Sequence, residues 1–247
     1  MSAHAYQIVE GLHVSNFFHE DNIRSAMAYK PRDGDILVVG YPKSGTAWLQ
    51  RIVYSILNDG RPPSDDTEAF LKDAMLEVFG GQAAANLPRI GAIRCHLPFD
   101  MAPFSPAAKY VFICRNPYDV CVSFFHHTKR VPAYGFKDGK FGDFLTMFMD
   151  GKVDFGDYFS HLLSWYEHLN APNVFMVTYE DLKADTKAAV PEADVRKPIT
   201  GNLFRKGIVG DWREHFSEDD VARMKEWIAL KTGSSRVMEL WKNVDLP

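Results

Sequence analysis

The chain is poor in the features that mark secretion, membranes and nucleic acid. It has only three cysteines, Cys95, Cys114 and Cys121. Their number is odd and their spacing matches no zinc motif. A disulfide framework is therefore excluded, and reduced, buried thiols in a cytoplasmic protein are expected. No Asn-x-Ser/Thr acceptor occurs, and residues 1–10 lack the basic segment and apolar stretch of a signal peptide. No apolar run approaches the roughly 20 residues needed to cross a bilayer, so no membrane partner is expected. Internal repeats and low-complexity segments are absent as well. Nor is positive charge in excess: the formal net charge of −4 argues against a nucleic-acid partner, while leaving room for one local basic pocket. A length of 247 residues suits a single domain, 1–247, with a sizeable core.

What is present is concentrated in Val38-Val39-Gly40-Tyr41-Pro42-Lys43-Ser44-Gly45-Thr46-Ala47-Trp48. A short apolar run from Ile36 stops at a glycine. A lysine, two hydroxyls and a second glycine follow, and then a helical pattern. Strand, loop and helix in this order form a phosphate cradle: backbone N–H groups face an anion, the helix N-terminus adds partial positive charge, and lysine adds a full one. Gly40 and Gly45 have the spacing of G-x-x-x-x-G-K-[ST]. However, Thr46-Ala47 stand where the Lys-Ser/Thr pair belongs, and the lysine comes earlier, at Lys43. This argues against a kinase or ATPase that holds magnesium through the loop hydroxyl.

Ile36–Val39, Ala92–Cys95, Tyr110–Cys114 and Val174–Thr178 read as strands, the first apolar throughout as a buried parallel strand is. Helices are expected over Gly45–Leu57, Asp65–Phe79 (ending at Gly80-Gly81), Asp119–Thr128 behind Pro117, Asp143–Met149 and Tyr158–Leu169. A capping box at Ser217-Glu218-Asp219-Asp220 opens another, to about Lys231. Alternating strands and helices predict an α/β fold with a mostly parallel central sheet flanked by helices. Ligands bind such sheets at the carboxyl ends of strands. The Lys43 loop, His96 and Arg115 all follow strands directly, which places them to converge on one crevice.

Three further segments carry groups suited to an anion or a proton. Arg115-Asn116-Pro117-Tyr118-Asp119-Val120-Cys121-Val122-Ser123 begins at a strand end. Arg115 can fork onto phosphate oxygens, and Ser123 on the following helix can add a hydroxyl. In Phe204-Arg205-Lys206-Gly207-Ile208-Val209-Gly210-Asp211-Trp212, two cations and a flexible backbone can surround a dianion. Arg94-Cys95-His96-Leu97-Pro98 supplies a histidine, whose reference pKa of about 6.5 suits a general base.

With these segments in this order, the chain resembles the cytosolic sulfotransferases from about residue 10 to 240. The resemblance implies a P-loop-like sulfotransferase fold. It also implies 3′-phosphoadenosine 5′-phosphosulfate (PAPS) as sulfuryl donor, PAP as product and no metal. The loop Tyr-Pro-Lys-Ser-Gly-Thr-x-Trp is similar to the family's 5′-phosphosulfate loop. Lys43 would stabilise the leaving phosphate oxygen, while Ser44, Gly45, Thr46 and Ala47 offer donors. Trp48 would stack on adenine. Arg115, Ser123, Arg205, Lys206 and Gly207 would hold the 3′-phosphate, and Tyr179 would reach the nucleotide. His96, in a segment similar to the family's K-x-H-L-P, would take the acceptor's proton. The acceptor itself would be a small phenolic or otherwise aromatic molecule bearing a hydroxyl or amine.

The chain departs from the family in four places. Ala47 replaces a threonine. Arg94 replaces a lysine. The C-terminal dimerisation pattern is degraded at Arg213-Glu214-His215-Phe216-Ser217-Glu218, leaving monomer and dimer both open. The stretch between Tyr179-Glu180-Asp181 and Arg205 is short, either as a real deletion or as an omitted piece, and no aromatic is evident opposite Trp48. Phe17, Phe18, Phe79, Phe144 and Phe148 fall in pocket-forming regions of the family, with Arg94 and His96 at the slot's end. Asp150, if it faces that slot, favours a cationic amine. The rival readings are a catalytically weak protein of the same fold that binds nucleotide and a small hydrophobe, and a P-loop kinase.

Overall fold

The computed structural model describes residues 5–61, 74–88, 91–184 and 206–247. The chain opens with an antiparallel hairpin, β1 (Tyr6–Val9) and β2 (Leu12–Ser15), turning at Glu10-Gly11. Helix α1 (Glu20–Met27) follows and packs on α3 (Leu76–Ala85). The central sheet comprises β3 (Ile36–Val39), β4 (Ile93–Cys95), β5 (Lys109–Cys114) and β6 (Val174–Thr178). Its order is β4-β3-β5-β6 and every pairing is parallel.

Both faces of the sheet are covered, so the strands are apolar on both sides. Period-two alternation sends Leu37 and Val39 to one face and Val38 to the other. The first face joins the main core, with Phe112, Tyr110 and Trp165. Helices α4 (Pro117–Arg130), α5 (Phe141–Met149), α6 (Tyr158–Tyr166) and α8 (Glu218–Thr232) contribute to it. On the second face Val38 and Ile113 meet Leu49 and Ile52 of α2 (Thr46–Leu57) and Leu182 of α7 (Tyr179–Ala184).

Local chemistry explains several boundaries. Pro117 occupies the first turn of α4 and Asn116 caps it by accepting from the Asp119 amide at 2.9 Å. The expected capping box at Ser217 and Asp220 opens α8. Gly80-Gly81 does not end α3: Gly80 kinks the helix at φ 80°, ψ 161°, and the helix resumes to Ala85. Nor does that helix run unbroken from Asp65: it starts at Leu76, because Met75 is extended and bridges to Arg94 beside the sheet, while residues 65–73 lie outside the described residues. So does the short stretch after Tyr179, whose residues 185–205 bear on the question of a deletion. The three cysteines are buried and unbridged.

Candidate active site

Each strand of the sheet hands the chain to a different wall of one cavity of about 300 Å³. β3 leads into the Lys43 loop, β4 into His96, β5 into Arg115 and β6 into Tyr179. In-register parallel pairing, with Val39 opposite Cys95 and Cys114 opposite Thr178, brings these ends together. Lys206, Gly207 and Asp211 approach from the C-terminal segment.

The loop after β3 is built to present backbone amides. Lys43 and Gly45 both have positive φ, 72° and 107°. A non-glycine residue in that region is uncommon, and such strain gathers at functional sites. Gly45 caps α2 without a side-chain hydrogen bond, so the helix's first amides are left to a ligand. A Cβ at Gly45 would lie 2.8 Å from the Tyr179 ring, and one at Gly40 would lie 2.4 Å from the Ile113 carbonyl oxygen. The close packing of loop on sheet therefore requires glycine at both positions. Lys43 borders the cavity half-buried. Burial, then the charges of Arg94, Arg130 and Arg115, push its ammonium down to about 8.

Arg115 is buried and held on several sides. Its guanidinium donates to the Ile208 carbonyl at 3.0 Å, lies 3.5 Å from Asp119, and stacks 4.2 Å from the Tyr179 ring centroid. Its Nε is buried with no acceptor among the described residues, a donor that a phosphate oxygen would satisfy. The Tyr158 hydroxyl donates to the Arg115 carbonyl at 2.6 Å, which fixes its backbone. Asp119 accepts from the amides of Gly210 at 2.8 Å and Trp212 at 3.1 Å, fastening the C-terminal segment beside Arg115. Glu180 accepts from the Asn116 amide at 3.0 Å and from the Trp241 indole at 2.9 Å.

His96 is clamped in the same way. Its amide donates to Glu77, a fully buried carboxylate on α3, and its carbonyl accepts from His161 Nε2 at 2.9 Å. Its Nδ1 lies 2.6 Å from the Gly40 carbonyl oxygen. A carbonyl can only accept, so Nδ1 carries the proton and Nε2 keeps the lone pair. Burial, followed by the charge of Arg94, holds the imidazole well below its ordinary value, so the ring is neutral near pH 7.

A match to the sulfotransferase domain family spans residues 33–194, more than half of the chain. The chain belongs to the sulfotransferase family. Human sulfotransferase 1E1 is 28% identical over 247 residues, covering 80% of this chain and 82% of that protein. Amine sulfotransferase from Oryctolagus cuniculus is 29% identical, over 79% of each chain. Mouse sulfotransferase 2B1 is 31% identical, over 75% of this chain and 68% of its own. The crystal structure of mouse sulfotransferase SULT7A1 complexed with PAP superposes with a TM-score of 0.77 at 26% identity, covering 97% of this chain and 98% of that one.

In this sulfotransferase, Lys43, Gly45, Thr46, Ala47, Trp48, Arg94 and His96 all border the cavity. Arg115, Ser123, Tyr179, Lys206 and Gly207 do so as well. Arg205 lies outside the described residues. Ser44 does not reach the cavity: it is fully buried, and its Oγ has no partner among the described residues. The sequence offers no aromatic opposite Trp48; in the fold Tyr179 meets its ring edge-on, with centroids 5.4 Å apart.

The acceptor-side expectations divide. Phe17 and Phe18 line the cavity. Phe144 and Phe148 instead lie in the core, where the buried face of α5 directs them, and Phe79 packs against the same core. None of these three borders the cavity. Asp150 is exposed and pairs with Lys152 at 3.0 Å. Phe124, His127, Tyr134, Asp154 and Phe155 line the cavity without having been singled out in the sequence. No carboxylate–histidine cluster is expected from the sequence, yet Asp211, Glu214 and His215, at i, i+3 and i+4, lie within 4.8 Å of one another. Lys206 Nζ lies 2.9 Å from Asp211 and 2.5 Å from Glu214, so a cation of the chain bridges the two carboxylates.

Proposed function

We propose that this sulfotransferase moves a sulfuryl group from PAPS to a hydroxyl or amine of a small aromatic acceptor, releasing PAP. The observation that carries the proposal is the convergence of Lys43, His96 and Arg115, at the ends of three adjacent strands, on one cavity. The Gly45-capped amides of α2 and Lys43 would receive the 5′-phosphosulfate. Arg115, Ser123, Lys206 and Gly207 would receive the 3′-phosphate, and Trp48 with Tyr179 would border the adenine.

Sulfuryl transfer makes demands like those of phosphoryl transfer: in-line positioning and stabilisation of charge on the leaving oxygen. His96 Nε2 accepts the acceptor's proton as the new O–S or N–S bond forms. The S–O bond to the phosphate breaks, and Lys43 stabilises the charge left on that oxygen. A neutral imidazole is ready for this step without first losing a proton. Phe17, Phe18, Phe124 and Phe155 offer the acceptor an apolar wall. The buried, unbridged cysteines support a cytoplasmic setting. Among the described residues no helix is long and apolar enough to cross a membrane.

The test is transfer of radiolabelled sulfate from PAPS to a panel of phenols and arylamines in the presence of EDTA. Labelled product is expected. Tight PAPS binding with no product for any acceptor would point to a nucleotide-binding protein instead.

A further inference from the structure

Three carboxylates border the cavity: Asp119, Asp154 and Asp211. Two are committed. Asp119 holds the Gly210 and Trp212 amides beside Arg115, and Asp211 is paired with Lys206. Asp154 is only 3% exposed and has no ion-pair partner among the described residues. Its Oδ1 accepts from the Ser15 amide at 2.5 Å. Its Oδ2 accepts from the Tyr134 hydroxyl at 2.5 Å and from Ser15 Oγ at 3.4 Å.

A carboxylate offers about four acceptor positions, and these three bonds leave one open. These neutral donors orient the group, His13 acts on it only from beyond ion-pair distance, and a buried charge without an ion-pair partner is costly. The surroundings are aromatic. The Phe18 and Phe155 rings meet edge-on at 5.3 Å, and Tyr134 adds a third ring to the wall. A carboxylate backed by aromatic faces complements an organic cation. The next residue along the chain, Phe155, places its ring 5.3 Å from the His96 ring. Asp154 and the base therefore stand on adjoining walls of one cavity. Burial pushes the Asp154 carboxyl up from its ordinary value, and a bound cation would offset that.

We propose that the acceptors of this enzyme are arylalkylamines: an aromatic hydroxyl is sulfonated at His96 while a protonated aliphatic amine on the same molecule binds Asp154. This rests on the reading above of transfer from PAPS. The reaction is unchanged, because the amine is recognised and not modified. The role that sequence spacing offers to Asp150 falls instead to Asp154, which the hairpin β1–β2 and the turn at Tyr134 bring to the cavity.

The experiment compares tyramine with its uncharged analogues 4-ethylphenol and N-acetyltyramine. Each is titrated calorimetrically into the full chain saturated with PAP, and each is then assayed with PAPS. Tyramine is expected to exceed both analogues by at least tenfold in kcat/KM. In Asp154→Asn, which preserves shape, that ratio should fall to within threefold of one. In Tyr134→Phe, which keeps the carboxylate, the preference should persist. A wild-type ratio near one, or an undiminished ratio in Asp154→Asn, would overturn the proposal. If Asp154→Asn does not fold, the wild-type comparison with N-acetyltyramine decides alone. Failure of PAP itself to bind would sink the donor reading, whereas PAP binding with equal affinity for all three phenols would sink only this inference.

Discussion

His96 and Lys43 sit in the same electrostatic field and respond to it oppositely in function. Burial beside Arg94 keeps the imidazole neutral and able to accept a proton, whereas burial, followed by Arg94, Arg130 and Arg115, makes it easier for Lys43 to lose its charge. The pH profile of kcat/KM for the donor should therefore show no acid limb near 6.5. It should fall on the alkaline side above about pH 8, as Lys43 in the free enzyme deprotonates. An acid limb at 6.5 would show that the imidazole is not shielded. Substituting His96→Ala removes the proposed base, and transfer should drop by at least about 10²-fold. PAP affinity, measured by calorimetry, should stay within threefold of wild type. Near wild-type turnover in that variant would remove His96 from the mechanism. Both residues were legible in the sequence because each belongs to an ordered string. Glu77 and His161, which hold His96 by its backbone, were not legible, since contacts between residues 19 and 65 positions apart leave no local signature.

At the scale of elements, the loop between β3 and α2 depends on missing side chains. A methyl group at Gly40 would press on the Ile113 carbonyl, a backbone atom that cannot swing aside. Gly40→Ala is expected to cost about 1–3 kcal/mol. Thermal unfolding should register this as a Tm lowered by roughly 2–4 °C per kcal/mol. An unchanged Tm would mean that the loop is looser than its packing implies. The C-terminal segment 206–212 depends on Asp119 in a comparable way. Asp119→Asn exchanges one acceptor oxygen for a donor, and a hydrogen bond to a charged group contributes about 1.5–3 kcal/mol. Because that segment carries Lys206 and Gly207, the KM for PAPS should rise at least tenfold with a smaller change in kcat. A pure kcat defect would contradict this coupling. The strands and most helices followed from apolar periodicity and caps. The β1–β2 hairpin was overlooked, although the two-residue turn Glu10-Gly11 between YQIV and LHVS is a hairpin signal. The Ser15–Asp154 contact that it supplies was therefore not legible, although Phe18 just beyond it was.

At the scale of the molecule, the parallel sheet turns four separate segments of sequence into one chamber, because neighbouring strands end within two residues of one another. The residues proposed to hold the donor were readable because short contiguous strings carry them. The wall proposed for the acceptor was readable only in part, through Phe17, Phe18, Arg94 and His96, because the rest comes from single residues on α4 and near Tyr134 and Asp154, while aromatics at helical spacing, such as Phe144, went to the core. The most direct measurement is a calorimetric titration of the full chain with PAP and with 5′-AMP, which lacks the 3′-phosphate. Two anion sites bridged by one nucleotide predict that PAP binds at least 100-fold more tightly. Equal affinities for the two ligands would show that Arg115 and the segment from Lys206 do not grip the second phosphate.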